Sequence, residues 1–141
     1  NYEAALRDLN TWTDGYLRKT VTKRTFTEAE IKAYYDKLPY ADKTKMSPKK
    51  HITGAHFTLQ DGSKITEGTR AEILLQYVLQ CRRVLTMHEG LRWQDIKRYG
   101  IEITHKLYTG DVMTLKTDDP RRALQIPASI LSVGVEPNPG Y

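Results

Sequence analysis

Apolar residues recur at three- and four-residue steps in three parts of the chain, the spacing that places side chains on one face of an α-helix. The first part covers residues 2–19 and has an aromatic end at Trp12 and Tyr16. The second covers residues 28–38, and the third covers residues 70–88. We therefore expect three amphipathic helices, each with one face buried against a neighbour.

The second and third helices also carry start signals. Thr27 and Thr69 are each followed three residues later by a glutamate, Glu30 and Glu72. In this capping box the hydroxyl accepts from the N3 amide while the carboxylate accepts from the N-cap amide. We expect the second helix to stop before Pro39, because the residue before a proline disfavours helical backbone.

The third helix is the centre of the predicted fold. Its expected apolar stripe consists of Leu74, Tyr77, Val78, Cys81, Leu85 and His88. Its expected polar face carries Gln76, Gln80, Arg83 and Thr86. Gly90 predicts a break, since glycine tolerates positive φ, and a short second helix over residues 91–99 then closes at Gly100.

Two hairpins and one loop are predicted from local pattern. The stretches HFTLQ and SKIT flank Asp61-Gly62, and IEITHKLY and VMTLK flank Thr109-Gly110-Asp111. Both turns are of kinds that join antiparallel strands. Residues 40–50 lack an apolar period and predict a solvated loop whose lysines are Lys43, Lys45, Lys49 and Lys50.

The pattern as a whole predicts a mainly α fold with two short β-hairpins and a long irregular C-terminal tail. One helical turn is expected at residues 128–131, with Tyr141 as an anchor for the end of the tail. The length of 141 residues suits a single domain spanning residues 1–141.

Charge and chemistry narrow the function classes. The net charge is +5, but the basic residues are interleaved with acidic ones, which favours an ordinary surface and leaves a basic nucleic-acid-binding module as the alternative. The single cysteine, Cys81, lies on the apolar stripe of the third helix and is predicted to be buried. Trp12 and Tyr16 are four residues apart, which favours the core over a sugar-stacking platform.

The sequence contains no convergent set of catalytic residues. His88-Glu89 is not followed by a second His at zinc-protease spacing. Asp118 and Asp119 precede Pro-Arg-Arg, which favours a turn and pairing with arginine over a glycan-hydrolysing carboxylate pair. We expect a protein that is not an enzyme, with no metal and no cofactor.

Charged residues crowd around Trp93 in the segment EGLRWQDIKRYG, residues 89–100. This segment resembles the E-G-x-R-W-x-D-L-x-R-x-G element of the SusD/RagB family. The tail segments TDDPRRALQIPASIL and EPNPGY resemble that family's P-R-R-x-x-P-I-P and N-P-G-Y, and ALRDLNTW near the start resembles its A-x-x-D-L-N helix. Residues 42–66 match no element of the family.

The resemblance implies a function and a setting. Members of the SusD/RagB family are cell-surface lipoproteins of the Bacteroidetes outer membrane, with a mainly helical scaffold of tetratricopeptide-like helix pairs. They bind oligosaccharides, or in some branches peptides, for polysaccharide utilisation and nutrient uptake. Their partner is a SusC-like TonB-dependent transporter, on which they form a lid. By this resemblance the chain is expected to be a C-terminal fragment of a larger protein, anchored by a lipid outside the fragment.

The resemblance also suggests roles for residues. Arg92, Trp93, Asp95, Arg98 and Arg121 are expected to form a structural lock that ties the central helix pair to the tail. Ligand sites of the family are formed upstream, so the ligand-binding residues are unknown. Where the family has acidic residues this chain has Cys81 and Leu85, which leaves Arg82 and Arg83 to find carboxylate partners elsewhere, in a missing N-terminal portion for example.

Overall fold

The computed structural model describes residues 1–40, 49–52 and 56–139. The chain is mainly α-helical, as the pattern predicts, and its described part contains one two-stranded antiparallel sheet. The helices are α1 (Tyr2–Tyr16), α2 (Glu28–Asp36), α3 (Arg70–Leu85), α4 (Arg92–Tyr99) and α5 (Ala128–Leu131). The strands are β1 (Ile103–Lys106) and β2 (Val112–Leu115), and a 3₁₀ turn covers Pro120–Arg122.

The predicted helix starts are largely confirmed. The capping box of α2 is complete, because the Thr27 hydroxyl accepts from the Glu30 amide and the Glu30 carboxylate accepts from the Thr27 amide. In α3 only half of the box forms: Thr69 accepts from the Glu72 amide at 3.4 Å, but the Glu72 carboxylate accepts from the Gly68 amide instead. Both helices begin one residue after their threonine.

The helix α3 lies between two apolar clusters, which together form the core. On one side α1 and α2 pack against it, with Ile31, Tyr35, Ile73 and Leu74 buried. The other cluster contains buried Ile52, Ile65, Leu79, Ile96 and Ile101, with Trp93 and Tyr99 packed against it. The second cluster draws in α4 and the chain before β1, so α3 contributes apolar side chains in two directions.

This double burial corrects the predicted faces of α3. Gln76 and Thr86 were expected on the polar face and are buried, whereas Leu85 of the expected stripe is 47% exposed. A helix packed on two sides has no single apolar stripe, so polar residues between the two contact surfaces are enclosed too. The enclosed Gln76 amide is satisfied by the backbone of Lys50 and by Glu72.

The two predicted hairpins differ in outcome. The second is confirmed: β1 pairs with β2 from Ile103 opposite Leu115 to Lys106 opposite Val112. The first is reduced to a turn at Asp61-Gly62 closed by one isolated antiparallel bridge between Thr58 and Lys64.

The tail has the predicted single helical turn, α5, and is otherwise irregular. Asp118 adopts a left-handed φ of 58°, and the following Asp119 caps the 3₁₀ turn by accepting from the Arg121 amide. Further along, the side-chain oxygen Oε1 of Gln125 accepts from the main-chain amide of Asn138 at 3.0 Å. Tyr141, the expected anchor, lies outside the described residues. Across the described ranges, no helix has both the length and the apolar character needed to cross a membrane.

Candidate functional site

The residues predicted to form a lock come mainly from α4. Gly90, with φ of 71°, breaks the chain after α3, and Gly100 ends α4 in the left-handed conformation with φ of 62°. These two glycines hold α4 as a helix of eight residues that contains Arg92, Trp93, Asp95 and Arg98. Both breaks agree with the sequence prediction.

A bidentate ion pair joins α4 to α3. Both oxygens of the buried Asp95 accept from Arg82, at 3.0 Å from Nε and 2.6 Å from Nη2. This bidentate geometry fits the planar guanidinium fork, and the hydrogen bonds raise the pKa of Arg82. The carboxylate partner of Arg82 is therefore within this chain, whereas the resemblance had suggested a partner elsewhere.

Trp93 and Arg98 are placed separately. Trp93 is half-buried and packs on the cluster around Leu79 and Ile96. The exposed Arg98 guanidinium lies 5.3 Å from the ring centre of its neighbour Tyr99. The indole therefore packs at the edge of the core, while Arg98 makes a cation–π contact with Tyr99.

The connection from α4 to the tail runs through Arg122, the neighbour of the predicted Arg121. The guanidinium of Arg122 is buried and donates to the carbonyl oxygens of Ile96 at 2.8 Å and Ile101 at 2.7 Å. It also donates to the carbonyls of Lys116 and Leu115. Burial lowers the pKa of Arg122, because desolvation disfavours the charged form.

Arg121 has other hydrogen-bond partners. Its guanidinium donates to both oxygens of Asp119, at 2.9 and 2.7 Å, and to the carbonyl of Thr114 at 3.1 Å. The sequence predicted a tie to α4 for Arg121, and the structure shows such a tie for Arg122, which donates to Ile96 of α4. The sequence offers no signal that distinguishes the two adjacent arginines in this respect.

We call this connected set, Arg82, Asp95, Ile96, Ile101 and Arg122, the α3–α4–tail joint. Its polar groups are satisfied from within, because carboxylate oxygens accept from Arg82 and main-chain carbonyls accept from Arg122. Such an arrangement is suited to fixing elements relative to one another. It presents no reactive group to a ligand.

Arg92, the first residue of α4, is placed differently from the other lock residues. Its Nη1 is buried and has no hydrogen-bond partner within the described part of the chain. Desolvation and then the charge of Arg83 lower the pKa of Arg92. A guanidinium nitrogen without an acceptor is uncommon in a protein interior, so Arg92 has a hydrogen-bonding capacity that the described residues do not use.

Of the predicted solvated loop, residues 40–50, the structure describes Tyr40, Lys49 and Lys50. Lys49 is buried, which contradicts the prediction of an exposed loop. Lys43 and Lys45 lie outside the described residues. Lys49 is buried, with Nζ 4.3 Å from the centre of the Tyr40 ring, which in turn stacks on His51 at 4.7 Å. The aromatic face explains how the lysine can be enclosed, through a cation–π contact.

The remaining candidates are dispersed. His51 Nδ1 lies 2.9 Å from Glu67 Oε1, and His56 Nε2 lies 2.7 Å from Asp118 Oδ1. No group of three or more His, Cys, Asp or Glu side chains in residues 1–40, 49–52 and 56–139 is arranged to hold a metal ion. Trp12 and Tyr16 stack at 4.7 Å, as two aromatic rings four residues apart on a helix can, but Tyr16 is 47% exposed and so lies outside the core.

Comparison with known proteins adds no relative: no protein-family model, curated protein or solved structure matches the chain.

Proposed function

We propose that the chain is the C-terminal scaffold portion of a SusD-like nutrient-binding protein that captures an oligosaccharide or a peptide at the outer membrane. Its partner would be a SusC-like TonB-dependent transporter. A lipid anchor outside residues 1–141 would hold the protein at the cell surface. The proposed activity is binding without catalysis, and it involves no cofactor.

One observation carries the proposal: the two stretches that resemble the family meet in the α3–α4–tail joint. Asp95 and Ile96 belong to the segment EGLRWQDIKRYG, and Arg122 belongs to DDPRR. Arg122 donates to the carbonyl of Ile96 at 2.8 Å. Segments that are separate in sequence but build one buried joint are what a shared scaffold requires. This supports the resemblance more than either segment does alone.

The proposal is tested with the full-length protein in the bacterium that encodes it. We expect the protein to be degraded when intact cells are treated with proteinase K, and to co-purify with a TonB-dependent transporter from solubilised outer membranes. Deleting the gene should slow growth on the oligosaccharide or peptide that is its ligand, while growth on a monosaccharide is unchanged. Protection from the protease in intact cells together with absence of a transporter would reject the proposal.

A matched pair of variants links this test to the joint. Arg122→Met removes the buried guanidinium and should reduce the amount of protein at the cell surface. Arg121→Met removes the same charge from an exposed neighbour and should leave that amount near the wild-type level. Equal amounts for both variants would show that the joint does not support the folded protein in the cell.

The alternative, a basic nucleic-acid-binding module, predicts lysines and arginines gathered on one face and available to phosphate. Many of the described cations instead have a carboxylate partner, in the pairs Lys23–Glu30, Arg24–Asp14, Lys32–Asp36, Arg70–Glu28, Arg82–Asp95 and Arg121–Asp119. These pairs give no specific support for a nucleic-acid surface. Binding of a DNA oligomer that weakens steeply with salt would overturn this interpretation.

A further inference from the structure

Two adjoining cavities lie beside α2, and together they form one cleft. The first has a volume of about 570 Å³ and is lined by residues of α1, the segment 22–27 and α2. The second has a volume of about 440 Å³ and is lined mainly by residues of α2 and α3. Lys23, Phe26 and Glu30 line both. Each volume falls within the range of ligand pockets, about 300–1,000 Å³. We call the two cavities the polar half and the aromatic half of the α2 cleft.

Hydrogen bonds between α1 and the segment 22–27 hold the polar half in shape. The Asn10 side chain donates to the carbonyl of Phe26 at 2.9 Å and accepts from its amide at 2.8 Å. Arg24 donates to the carbonyl of Asp14 at 3.1 Å and forms an ion pair with its carboxylate. These contacts fix one wall of the cleft without a ligand. The cavity is therefore pre-formed, as ligand pockets usually are.

The charges that line the polar half balance one another. Two cations and two carboxylates line it, and they pair as Arg24 with Asp14 and as Lys23 with Glu30. Threonines also line it, namely Thr22, Thr25 and Thr27. A lining of balanced charge favours neither an anion nor a cation, but it offers both hydrogen-bond donors and acceptors. It is complementary to an uncharged ligand with hydroxyl groups, because a hydroxyl both donates and accepts.

Four aromatic rings line the other half of the cleft. Phe26 and Tyr77 meet edge to face with their ring centres 6.2 Å apart. Tyr34 and Tyr35 meet in the same way at 5.2 Å. Tyr35 is buried, whereas Tyr34 is 59% exposed and so offers the most accessible ring. Gln80 of α3 adds a side-chain amide beside the rings. This half therefore suits a ligand that has a flat apolar face with polar groups at its edge.

We propose that the α2 cleft binds a short stretch of a neutral saccharide. A saccharide ring has an apolar face of C–H groups, which can pack on Tyr34, and a rim of hydroxyl groups, which match the donors and acceptors of the polar half. The two halves adjoin, so consecutive rings of one chain can occupy both. Balanced charge in the lining favours neutral rings over acidic ones.

A peptide fits the α2 cleft less well. Extended peptides commonly bind by pairing with a free main-chain edge. The main chain at the centre of the cleft is already paired, because Asn10 binds both the amide and the carbonyl of Phe26, and Glu30 accepts from the amide of Thr27. The choice of a saccharide among neutral hydroxylated ligands rests on the proposed function, whereas the cleft itself does not. The resemblance implies ligand sites upstream, so the α2 cleft would be an additional site.

The test is a ¹⁹F NMR titration of the full-length protein with 4-fluorophenylalanine placed at one chosen position. A label at Phe26 reports on both halves of the cleft. A label at Phe57, which stacks on Tyr99 in the other cluster, is the control. The probes are maltotriose, cellotriose and mannotriose, with trigalacturonic acid and trialanine for comparison. We expect at least one neutral trisaccharide to shift the Phe26 signal saturably and to leave the Phe57 signal in place.

Three outcomes of this titration would overturn the proposal. One is the absence of a saturable shift at Phe26 with every probe. Another is an equal shift at Phe26 and Phe57, which would place the effect outside the cleft. The third is a shift with trialanine or trigalacturonic acid but with none of the neutral trisaccharides, which would reject a neutral saccharide as the ligand.

A matched pair of tyrosine variants, measured with the Phe26 label, tests the contact with the ring. Tyr34→Ala should weaken trisaccharide binding by about tenfold, because it removes the apolar surface on which a ring packs. Tyr34→Phe keeps the ring and should lose much less. Tyr16→Ala removes an equally exposed tyrosine that does not line the cleft, and it should bind as the wild type does. Equal affinities of Tyr34→Ala and Tyr16→Ala would contradict the proposal.

The titration also separates this inference from the proposed function. If no probe shifts the Phe26 signal while the protein is found at the cell surface with its transporter, the cleft is rejected as a site and the proposed function is not. If a neutral trisaccharide binds in the cleft while the protein is protected from protease and lacks a transporter, the proposed function is rejected and the site is not.

Discussion

At the scale of single residues, the adjacent Arg121 and Arg122 have different environments and should contribute differently to stability. The guanidinium of Arg122 is buried and donates to four main-chain carbonyls. Arg121 forms an ion pair with Asp119 near the surface, with 40% of its side chain exposed. A buried donor set and an exposed ion pair contribute very differently to stability.

Replacing Arg122 by Met should therefore be strongly destabilising. The variant leaves buried carbonyl oxygens without donors, and each unsatisfied group costs about 1–3 kcal/mol, so we expect the free energy of unfolding to fall by about 3 kcal/mol or more. Urea denaturation measures this loss. The matched control Arg121→Met should show a much smaller one, and similar losses for the two variants would contradict the placement of Arg122 in the joint.

Asp119 provides a pH prediction for the same turn. The hydrogen bonds from Arg121 lower the pKa of the Asp119 carboxyl from 3.8 to about 2. Because the folded pKa lies below the usual value, the contribution of this pair to stability is present above pH 3.8 and is lost as the pH falls through about 2. A carboxyl ¹³C NMR titration should show this low midpoint, and Arg121→Met should return it toward 3.8. An unchanged midpoint in the variant would show that Arg121 is not the cause.

At the scale of secondary-structure elements, α3 is the helix on which the others are arranged. It contacts α1 and α2 through one cluster and approaches α4 and the segment 49–52 through the other. The Gln76 side-chain amide binds the Lys50 backbone through one donated and one accepted hydrogen bond, as a paired strand would. The segment 49–52 is therefore held to α3 by these two hydrogen bonds and by the burial of Ile52.

The pairing of Arg82 with Asp95 should account for a measurable part of the contact between α3 and α4. Asp95→Asn should lower the free energy of unfolding by about 2 kcal/mol, because the buried carboxyl loses charge-assisted hydrogen bonds. The Arg82 side chain is 45% exposed, so solvent limits the coupling, and a double-mutant cycle with Arg82→Gln should give about 1 kcal/mol. Strictly additive single variants would mean that the two residues do not interact in solution.

For the whole molecule, Cys81 can report how the core opens. The free thiol is buried in α3, and burial raises its pKa from 9.0 to about 11. Because the folded pKa is above the usual value, its contribution to stability is present below pH 9.0 and is lost as the pH rises through about 11. The thiolate is the nucleophile, so both burial and the raised pKa suppress its reaction.

We therefore expect alkylation of Cys81 by iodoacetamide at pH 8 to proceed only as fast as the folded chain opens. Mass spectrometry across a urea series below the unfolding midpoint should show the rate rising with urea. A small thiol added as an internal standard gives the rate expected for an accessible group. Alkylation of the native protein at the rate of that standard would mean that the core around α3 is open.

Much of the secondary structure could be predicted from the sequence, because the signals are local. The capping box at Thr27, the break at Gly90, the cap at Gly100 and the turn around Gly110 each involve residues only a few positions apart. Burial was less predictable. The enclosed Lys49 and Gln76 are polar residues whose partners, Tyr40 and Lys50, come from other parts of the chain.

The candidate site also has features that the sequence predicts and features that it does not. The sequence identified α4 and the arginines around Asp95 as unusual, since oppositely charged residues crowd beside a tryptophan there. It could not assign Arg82 as the partner of Asp95, and it did not identify Arg122 as a residue that ties the tail to α4. Each of these assignments depends on which side of a turn or helix faces the core.

The sequence by itself determined where helices and turns begin and end, because hydrogen bonds and backbone preferences at those points act over three or four residues. Only the tertiary structure decided that α3 is buried on two sides, that Arg122 enters the joint, and that Gln76 binds the backbone of Lys50. Burial and electrostatic proximity depend on distances between residues far apart in the chain, and those distances are fixed when the elements pack together.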